Sequence, residues 1–309
     1  MVQDALGLPG FFVEMLESQY ASDDVRRIVE GSRVRRRTTL RANTLKGPRE
    51  AVARAFDDGG IAWDAVPWYA DAFVLRDACA RDVQAMAAFE RGEVYLQSLS
   101  SMLPPLVLAP LPHGDVLDMC AAPGGKTTQI SALTGGEARI TACEMHVPRA
   151  ERLEFNLARQ GARNVTVMRV DARRLDDYFS FDQILVDAPC SGSGTLDAAD
   201  PKMPKRFTPT LVEKSVKAQR ALLAKALRLL KPGGRIVYST CSVLRRENED
   251  VVGVCLKDAG KHGLYRIDPI DGAAFAGLPL LPGALEGALS VCPTELFEGF
   301  FVVAIRREA

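Results

Sequence analysis

Two cysteines of this 309-residue chain each follow an apolar segment that ends in a polar turn. Cys190 ends the stretch VDAPC, and Cys241 lies in the stretch YSTCS. Each pattern is typical of a buried strand that runs into a loop, with the thiol where the strand ends. A small core residue is the alternative for either thiol alone, because free cysteines are often buried. At neighbouring strand ends of a parallel sheet, however, both thiols would face one ligand crevice.

A loop rich in small residues, DMCAAPGGKTT, precedes a predicted helix and indicates a nucleotide site. Its GGKT could belong to a phosphate-binding P-loop, but that motif requires glycine where this chain has Cys120. The loop also lacks the GxGxxG of a dinucleotide site. Its small residues still allow the backbone to approach a ligand closely. The loop therefore favours a ligand with ribose and adenine but no phosphate, namely S-adenosylmethionine.

Two carboxylates end the next two predicted strands. Glu144 ends ITACE, nineteen residues after Gly125, and Asp171 ends the strand that follows. An acidic residue about 20 positions beyond such a loop is the usual contact to ribose hydroxyls. Ordinary strand-end carboxylates are the alternative for each residue alone. Their position at consecutive strand ends predicts that both bind the methyl donor.

A thiol beside a methyl donor indicates methylation at carbon 5 of a pyrimidine. That carbon becomes nucleophilic only after a nucleophile adds at carbon 6, which is covalent catalysis. The site must favour the thiolate, because a free thiol with a pKa of about 8.5 is only a few per cent ionised at neutral pH. Asp187 is placed to supply an acid near N3 of the base. Methylation of an adenine amino group is disfavoured, since its usual loop carries an aromatic ring where this chain has Cys190.

Strands and helices that alternate from Gly114 onward must position these residues. The alternation predicts an α/β fold with a doubly wound parallel sheet. Ahead of it we predict a helical segment over residues 1–35 and then a small α+β unit. The stretch SSMLPPLVLAPLP is predicted to be a helix interrupted by its prolines. We place the domain boundary after residue 97, which gives an N-terminal domain over residues 1–97 and a catalytic domain over residues 98–309.

Charge is balanced over the whole chain but concentrated in one stretch. The formal net charge is zero, yet residues 25–54 contain ten Lys or Arg and only two Glu. A solvated helix face is one interpretation of this stretch, and a phosphate-facing patch is the other. The histidines His113, His146 and His262 lack metal-ligand spacing, so no metal site is predicted.

The cysteine usage and the absence of targeting signals predict the compartment. Seven cysteines without a CxxC pair disfavour a disulfide framework and indicate a reducing environment. The first residues do not have the pattern of a secretory signal, and no apolar run approaches the roughly 20 residues of a membrane span. We therefore expect a cytoplasmic protein without membrane contact.

Four motifs together resemble those of the NOP/Sun-type (RsmB/NOP) RNA cytosine-5 methyltransferases: LDMCAAPGGKTT, LVDAPCSGSG, GGRIVYSTCSV and RENEDVV. The similarity extends to LRANTL, LQSLSSMLP and EGFFVVAIRR, and covers roughly residues 36–306. It implies a Rossmann-like class I methyltransferase with a mainly parallel seven-stranded sheet, preceded by a small α+β RNA-binding domain. The implied activity is methyl transfer from S-adenosylmethionine to carbon 5 of a cytosine in RNA, by a protein that we expect to be a monomer.

The resemblance also implies a role for each site residue. Cys241 of the STC motif corresponds to the family's nucleophile, and Cys190 of the PC motif to the residue that assists release of the methylated RNA. Lys126 is expected to touch the target nucleotide, although a simple helix N-terminal lysine is the alternative. The expected methyl-donor contacts are Cys120, Ala121, Ala122, Pro123, Gly124, Gly125, Lys126, Glu144, Arg149, Asp171 and Asp187.

RNA is expected on the basic N-terminal unit and on the loop PKMPKRFTP. Basic residues interleaved with an aromatic ring suit single-stranded RNA, and this loop offers Lys202, Lys205, Arg206 and Phe207. Ribosomal RNA is the first expectation for the substrate and transfer RNA the second. Ser290 and Thr294 stand where the family often has Arg and His, a departure that concerns RNA or loop positioning.

Two other functions stay open at this point. The first is an inactive RNA-binding factor of ribosome assembly, which the intact Cys190, Asp187 and Cys241 disfavour. The second is a DNA cytosine-5 methyltransferase, which would use the PC cysteine as nucleophile and would have no use for Cys241.

Overall fold

The computed structural model describes residues 7–260 and 265–309 of the chain. His262, one of the three histidines considered above, lies outside this part. Within the described ranges, no helix is long and apolar enough to cross a bilayer. In the same ranges, no three His, Cys, Asp or Glu side chains are grouped so that they could hold a metal ion.

A small antiparallel sheet follows two N-terminal helices. The elements of this part are α1 (Gly10–Glu17), α2 (Ser22–Gly31), β1 (Thr39–Ala42), α3 (Arg49–Asp58), β2 (Trp63–Ala65), β3 (Ala72–Leu75), α4 (Ala80–Gln84), α5 (Ala87–Glu90) and β4 (Val94–Leu96). The four strands lie in the order β2-β3-β1-β4. The fully buried rings of Phe56 on α3 and Phe73 on β3 meet edge to face, 5.4 Å apart, in the core between helix and sheet.

A large sheet forms the rest of the protein. Its strands and the helices between them are α6 (Leu99–Leu108), β5 (Asp115–Asp118), α7 (Gly125–Leu133), β6 (Arg139–Cys143), α8 (Val147–Gln160), β7 (Val165–Met168), β8 (Phe181–Asp187), α9 (Met203–Arg206), α10 (Pro209–Leu229), β9 (Leu230–Thr240), α11 (Glu249–Ala259), β10 (Tyr265–Asp268), β11 (Leu289–Val291) and β12 (Phe300–Arg307). Seven strands lie in the order β10-β12-β9-β8-β5-β6-β7, and the short β11 pairs with β12. The five strands from β9 to β7 are parallel, β12 pairs antiparallel with β9, and β10 pairs antiparallel with β12 and so runs in the direction of the other five. The predicted doubly wound, mainly parallel fold is confirmed.

Helices cover both faces of this sheet, so its strands are apolar on both sides. On one face Ile184 of β8 packs in the same core as α10, and on the other Leu185 packs with α6 and α7. The helices α1 and α2 join the α10 side, where Phe12 and Ile28 are buried, and they do not cover the small sheet. The first helices are therefore part of the core of the large sheet, and the boundary after residue 97 stays a prediction.

Helix α6 runs through Pro104 and Pro105 without a break, so the predicted interruption is wrong. A proline inside a helix leaves the carbonyl four residues earlier without its amide donor. For Pro105 that carbonyl belongs to Ser101, and the side-chain amide of Gln97 donates to it at 3.0 Å. This side-chain hydrogen bond compensates for one of the two backbone bonds that the prolines remove, and α6 stays helical across the face of the sheet.

Candidate active site

The two thiols lie side by side beyond the carboxyl ends of β8 and β9. These strands pair in parallel with Asp187 opposite Ser239, so the residues that follow them meet. The Sγ atoms of Cys190 and Cys241 are 3.0 Å apart. The pKa of Cys190 is raised well above its usual range, first by the hydrogen bond with Cys241 and then by burial. Cys190 is therefore a thiol at neutral pH and can donate its proton to the other sulfur.

A buried carboxylate, that of Glu247, joins the two loops that carry the thiols. It accepts hydrogen bonds from the backbone amide and the hydroxyl of Ser191, at 2.7 and 2.5 Å. It also accepts one from the hydroxyl of Ser242 at 2.6 Å. Each serine directly follows one of the cysteines. Sequence analysis had matched the motif RENEDVV without giving Glu247 a role, because nothing local to the motif indicates these distant partners.

An ion pair faces the thiols from the neighbouring strand end. The Nζ atom of Lys126, at the start of α7, lies 2.8 Å from Asp187 Oδ2 and 3.2 Å from the hydroxyl of Ser101. Ser239 donates to the other Asp187 oxygen at 2.7 Å. Burial alone would lower the pKa of Lys126, but the charge of Asp187 and its hydrogen bond outweigh burial and raise it. Lys126 therefore stays a cation, with the ring of Phe300 5.8 Å from its ammonium.

A cavity of about 300 Å³ opens beside the thiols, with two carboxylates at one side. Glu144 is buried. Its carboxylate accepts a hydrogen bond from the backbone amide of His146 at 2.8 Å and forms an ion pair with Arg149 at 3.2 Å. Asp171 is held by Arg173 through contacts of 2.6 to 3.0 Å, which lower the pKa of Asp171. Apolar side chains form the rest of the wall, including Met119, Ala188, Pro189 and Leu222.

The loop Cys120–Lys126 forms one side of this cavity and leads into α7. Gly124 has φ 107°, and a Cβ there would lie 3.0 Å from a methyl group of Leu153, so glycine is required. Beneath the loop, Asp118 is fully buried and accepts hydrogen bonds from the hydroxyl of Thr127 at 2.7 Å and the amide of Cys120 at 3.2 Å. Burial raises the pKa of Asp118 to about 6. Sequence analysis missed this residue, although its place at the end of the strand before the loop was visible.

A second cavity, of about 280 Å³, meets the first at Cys120, Ala122 and Asp187. It is lined on its far side by Tyr95, Ser98 and Glu298, and Ser98 donates a hydrogen bond to the Glu298 carboxylate at 2.7 Å. Asp187 therefore stands at the junction of the two cavities, and its partner Lys126 lines the second one, beneath the small N-terminal sheet.

The structure brings the predicted site residues together. The residues that line one or both cavities are Cys120, Ala121, Ala122, Pro123, Gly125, Lys126, Glu144, Arg149, Asp171, Asp187, Cys190 and Cys241. The first cavity suits a nucleoside without phosphate, because Arg149 and Arg173 already bind the two carboxylates and the remaining wall is largely apolar. This chemistry fits S-adenosylmethionine.

The basic N-terminal stretch is partly structural. Arg41 is fully buried, and its guanidinium donates to Gln97 at 2.9 Å and to Thr128 at 2.7 Å. Arg36 donates to the carbonyl of Gly194 at 3.1 Å. These two side chains are therefore not available to bind phosphate, whereas Arg35 is exposed.

The segment over residues 201–209, predicted to be a loop, contains the short helix α9, and Phe207 within it does not have its predicted role. Phe207 is 2% exposed and packs against Phe11 and Phe12, with ring centroids 5.3 and 5.1 Å away. Its predicted availability for stacking on an RNA base is wrong, because the ring fills the core beneath α1. The basic residues of the same loop are exposed at Lys202, Lys205 and Arg206.

The two unusual positions near the end of the chain are structural in this fold. Ser290 is buried in β11, and the hydroxyl of Thr294 accepts hydrogen bonds from the amides of Leu296 and Phe297. Thr294 thereby shapes the turn that leads to Phe300 at the site.

Two family models match this chain. The model described as 16S rRNA methyltransferase RsmB/F matches residues 105–306. A model of the RsmF/B-like ferredoxin-like domain matches residues 8–82.

Curated relatives carry the name ribosomal RNA small subunit methyltransferase F. The protein of Shewanella loihica is 37% identical over 287 residues, which is 88% of this chain and 57% of the relative. The protein of Erwinia tasmaniensis is 35% identical over 311 residues, 97% of this chain and 63% of the relative. The chain thus spans about three fifths of the length of these relatives.

Solved structures agree with the fold. A methyltransferase homolog protein from Pyrococcus horikoshii is 29% identical, with a TM-score of 0.78 over 97% of this chain and 99% of that chain. NSun6 from the same organism, solved with SFG, is 22% identical, with a TM-score of 0.84 over 97% of this chain and 98% of that one. At that identity the second likeness concerns the fold alone.

Proposed function

The chain belongs to the RsmB/F family of 16S rRNA methyltransferases, and we propose that it methylates carbon 5 of a cytosine in RNA through a covalent adduct of Cys241. The observation that carries this proposal is the 3.0 Å approach of two thiols beside the ion pair of Asp187 and Lys126. Ribosomal RNA is the favoured substrate over transfer RNA, since the family and its curated relatives are named for ribosomal RNA.

The methyl donor is S-adenosylmethionine, in keeping with the class I fold and the chemistry of the first cavity. Glu144 and Asp171 would hold the ribose hydroxyls, since carboxylates at these strand ends are the usual ribose contacts. When bound, S-adenosylmethionine supplies an electrophilic methyl group. Arg149 orients Glu144 and also donates to the carbonyl of Ala122 at 3.0 Å, which fixes the loop relative to the carboxylate.

Attack begins when the Cys241 thiolate forms a bond to carbon 6 of the base. The electron pair of the double bond between carbons 5 and 6 then moves to carbon 5, and charge builds up toward N3. The ion pair of Lys126 and Asp187 stabilises that charge. The raised pKa of Lys126 keeps its ammonium protonated, and Asp187 orients the ammonium. Phe300 closes the site beside the ammonium.

Release requires that the carbon-5 proton leaves and that the bond from carbon 6 to sulfur breaks. Cys241 departs as a thiolate and needs one proton to become a thiol again. Cys190, 3.0 Å away and protonated at neutral pH, can give its proton to that sulfur and take up the one lost from carbon 5. Cys241 gives up its own proton to solvent before attack, and the proton that leaves carbon 5 replaces it by way of Cys190. Both thiols are thereby restored, and one proton is released for each methyl group transferred.

The test is incorporation of labelled methyl groups from S-adenosylmethionine into ribosomal RNA, followed by digestion to nucleosides. We expect label in 5-methylcytidine, and bisulfite mapping of cellular RNA with and without the gene should then locate the cytosine. Label in another nucleoside overturns the chemistry. Label in DNA alone favours the DNA enzyme, and no transfer at all favours the assembly factor.

A further inference from the structure

The exposed side of α8 carries a shallow concavity of about 510 Å³. Pro148, Glu151, Arg152, Phe155, Asn156 and Arg159 line it. Phe155 is 64% exposed, which is unusual for a large aromatic side chain but not sufficient by itself to indicate a binding site. What distinguishes this ring is that arginines stand one helical turn before it and one turn after it, on the same face.

The second of these arginines links α8 to the small N-terminal domain. The guanidinium carbon of Arg159 lies 4.3 Å from the centroid of the Phe89 ring and 5.7 Å from that of Phe155. Its Nε atom is buried and has no hydrogen-bond partner among the described residues. Nearby, Gln160 donates to the carbonyl of Val94 at 3.0 Å, so α8 and β4 are firmly joined here. The two aromatic rings and the guanidinium between them form a preorganised platform.

This platform adjoins β4, the strand that carries part of the wall of the second cavity. Tyr95 of β4 lines that cavity together with Lys126. Burial raises the pKa of Tyr95, and four cationic side chains oppose that rise: Arg41, Arg159, Lys126 and Arg152. The charges of Arg152 and Arg159 therefore act on the hydroxyl of Tyr95 in the wall of the second cavity. Among the described residues, Arg152 and Arg159 form no salt bridge, and these two arginines outnumber Glu151, the acidic residue of the concavity.

The other strongly exposed aromatic residue offers a contrast. Tyr178 is 97% exposed, but Asp176 and Asp177 precede it directly. Asp177 pairs with Lys225 of α10, so Tyr178 lies on the opposite face of the large sheet from α8. Glu154 precedes Phe155 in the same way and pairs with Arg169. The difference is that Phe155 also has two arginines on its own helical face, and these attract a phosphate backbone.

We propose that Arg152, Phe155 and Arg159, the α8 platform, bind single-stranded RNA next to the target nucleotide. Phe155 stacks on a base, and the arginines contact the flanking phosphates, which is the usual division of work on single strands. From residue 152 to residue 159 the helix rises about 10 Å, enough for a short stretch of strand. The inference rests on the proposed RNA substrate and adds where the strand leaves the reaction chamber.

The first test measures binding of a labelled single-stranded oligonucleotide of cytidines and uridines to the full chain by fluorescence anisotropy. Phe155→Ala should weaken binding roughly 5-fold or more, because base stacking on an aromatic ring is worth about 1–3 kcal/mol. Phe155→Trp should keep the affinity of the unsubstituted protein, because tryptophan can also stack on a base. If Phe155 had only a structural role, the larger ring would not be expected to keep it. Tyr178→Ala is the matched control and should leave the affinity unchanged.

The second test is the salt dependence of the same binding. Arg152→Ala should flatten the slope of log affinity against log salt by about 0.7, one phosphate contact on a single strand. Arg220→Ala, an exposed arginine of α10 on the opposite face, should not change the slope. S-adenosylmethionine affinity serves as the measure that every variant is folded.

Two outcomes overturn the inference: α8 variants that match their controls, or an unsubstituted protein that does not bind the oligonucleotide. If the unsubstituted protein still methylates ribosomal RNA in either case, the proposed function stands and only the α8 platform is wrong. If it binds the oligonucleotide through α8 yet transfers no methyl group, the proposed function fails and the platform stands.

Discussion

The Sγ atoms of Cys190 and Cys241 lie 3.0 Å apart, although 51 residues separate the two in the chain. Parallel pairing of β8 with β9 brings them together, and Asp187 pairs directly with Ser239 at the end of that ladder. Two sulfurs at this distance can reach the same atoms of one bound base. Replacing either cysteine therefore shows what the remaining thiol does by itself.

Cys190→Ser should still attack and methylate but then stall at release. A covalent complex of protein and RNA should accumulate, since the thiol that exchanges protons with Cys241 is gone. It should survive a denaturing gel and disappear after RNase treatment.

Cys241→Ser should give neither adduct nor activity, because a hydroxyl is far less ionised than a thiol. The double variant should behave like Cys241→Ser, since release matters only after attack. Cys79→Ser, at a helix N-terminus of the small domain, is the control and should behave like the unsubstituted protein. If Cys241→Ser trapped the adduct and Cys190→Ser abolished it, the roles would be reversed.

Glu144→Ala should weaken binding of S-adenosylmethionine and of S-adenosylhomocysteine by roughly 1–3 kcal/mol, the scale of a lost charged hydrogen bond. Isothermal titration calorimetry measures this directly. Glu137→Ala removes a half-exposed carboxylate outside both cavities and should not change the affinity. Tight binding of ATP with no affinity for the methyl donor would support the P-loop alternative instead.

Asp118 should make folding less favourable as pH rises from about 4 to about 6. Its pKa is about 6 in the folded protein and about 3.9 in the unfolded chain, so the unfolded chain binds fewer protons in that window. Relative to Asp118→Asn, which cannot ionise, the free energy of unfolding should fall by about 3 kcal/mol across the window. Urea unfolding at several pH values measures the difference, with Asp176→Asn as an exposed control. If the difference in the free energy of unfolding between the two proteins did not change with pH, the raised pKa of Asp118 would be wrong.

Arg41→Ala should destabilise the fold by about 3 kcal/mol or more, because Gln97 and the carbonyl of Gly125 lose a buried charged donor. Arg35→Ala, an exposed position in the same basic stretch, should change stability by no more than about 0.5 kcal/mol. Chemical denaturation compares the two. If Arg41→Ala and Arg35→Ala lost the same amount of stability, the buried contacts of Arg41 would not contribute more to the fold than the exposed side chain of Arg35.

Arg35→Glu should weaken RNA binding if the exposed part of the basic stretch faces phosphates. The salt slope should flatten by about 0.7 per lost contact on a single strand, with the affinity for the methyl donor unchanged. Titrations over a salt series give the slope. An unchanged slope would assign Arg35 to a solvated surface.

The sheet and its strand-end residues could be predicted because their signals are local. Apolar runs bounded by turns identify β8 and β9, and their parallel order follows from the alternation with helices, which puts Cys190 and Cys241 at one edge. Glycine and proline in DMCAAPGGKTT likewise indicate a tight loop without further information.

Roles that depend on distant partners could not be predicted. Glu247 follows Cys241 closely in the chain, but its partner Ser191 is 56 residues away. Phe207 lies among basic residues that suggest RNA contact, and only the packing of α1 on it makes the ring a core residue. Arg41 adds to a count of positive charges, yet it is fully buried. Composition cannot distinguish a solvated cation from a buried one.

The carboxylate of Glu247 holds together the two loops that carry Cys190 and Cys241. Because Ser191 and Ser242 both donate to it, drawing one cysteine away from the other would break hydrogen bonds inside the protein, where no water replaces them. Moving one thiol loop aside is therefore costly. If the proposed mechanism holds, turnover depends on bond cleavage at carbon 6, and a substrate whose carbon-5 proton cannot leave would stay covalently attached to Cys241.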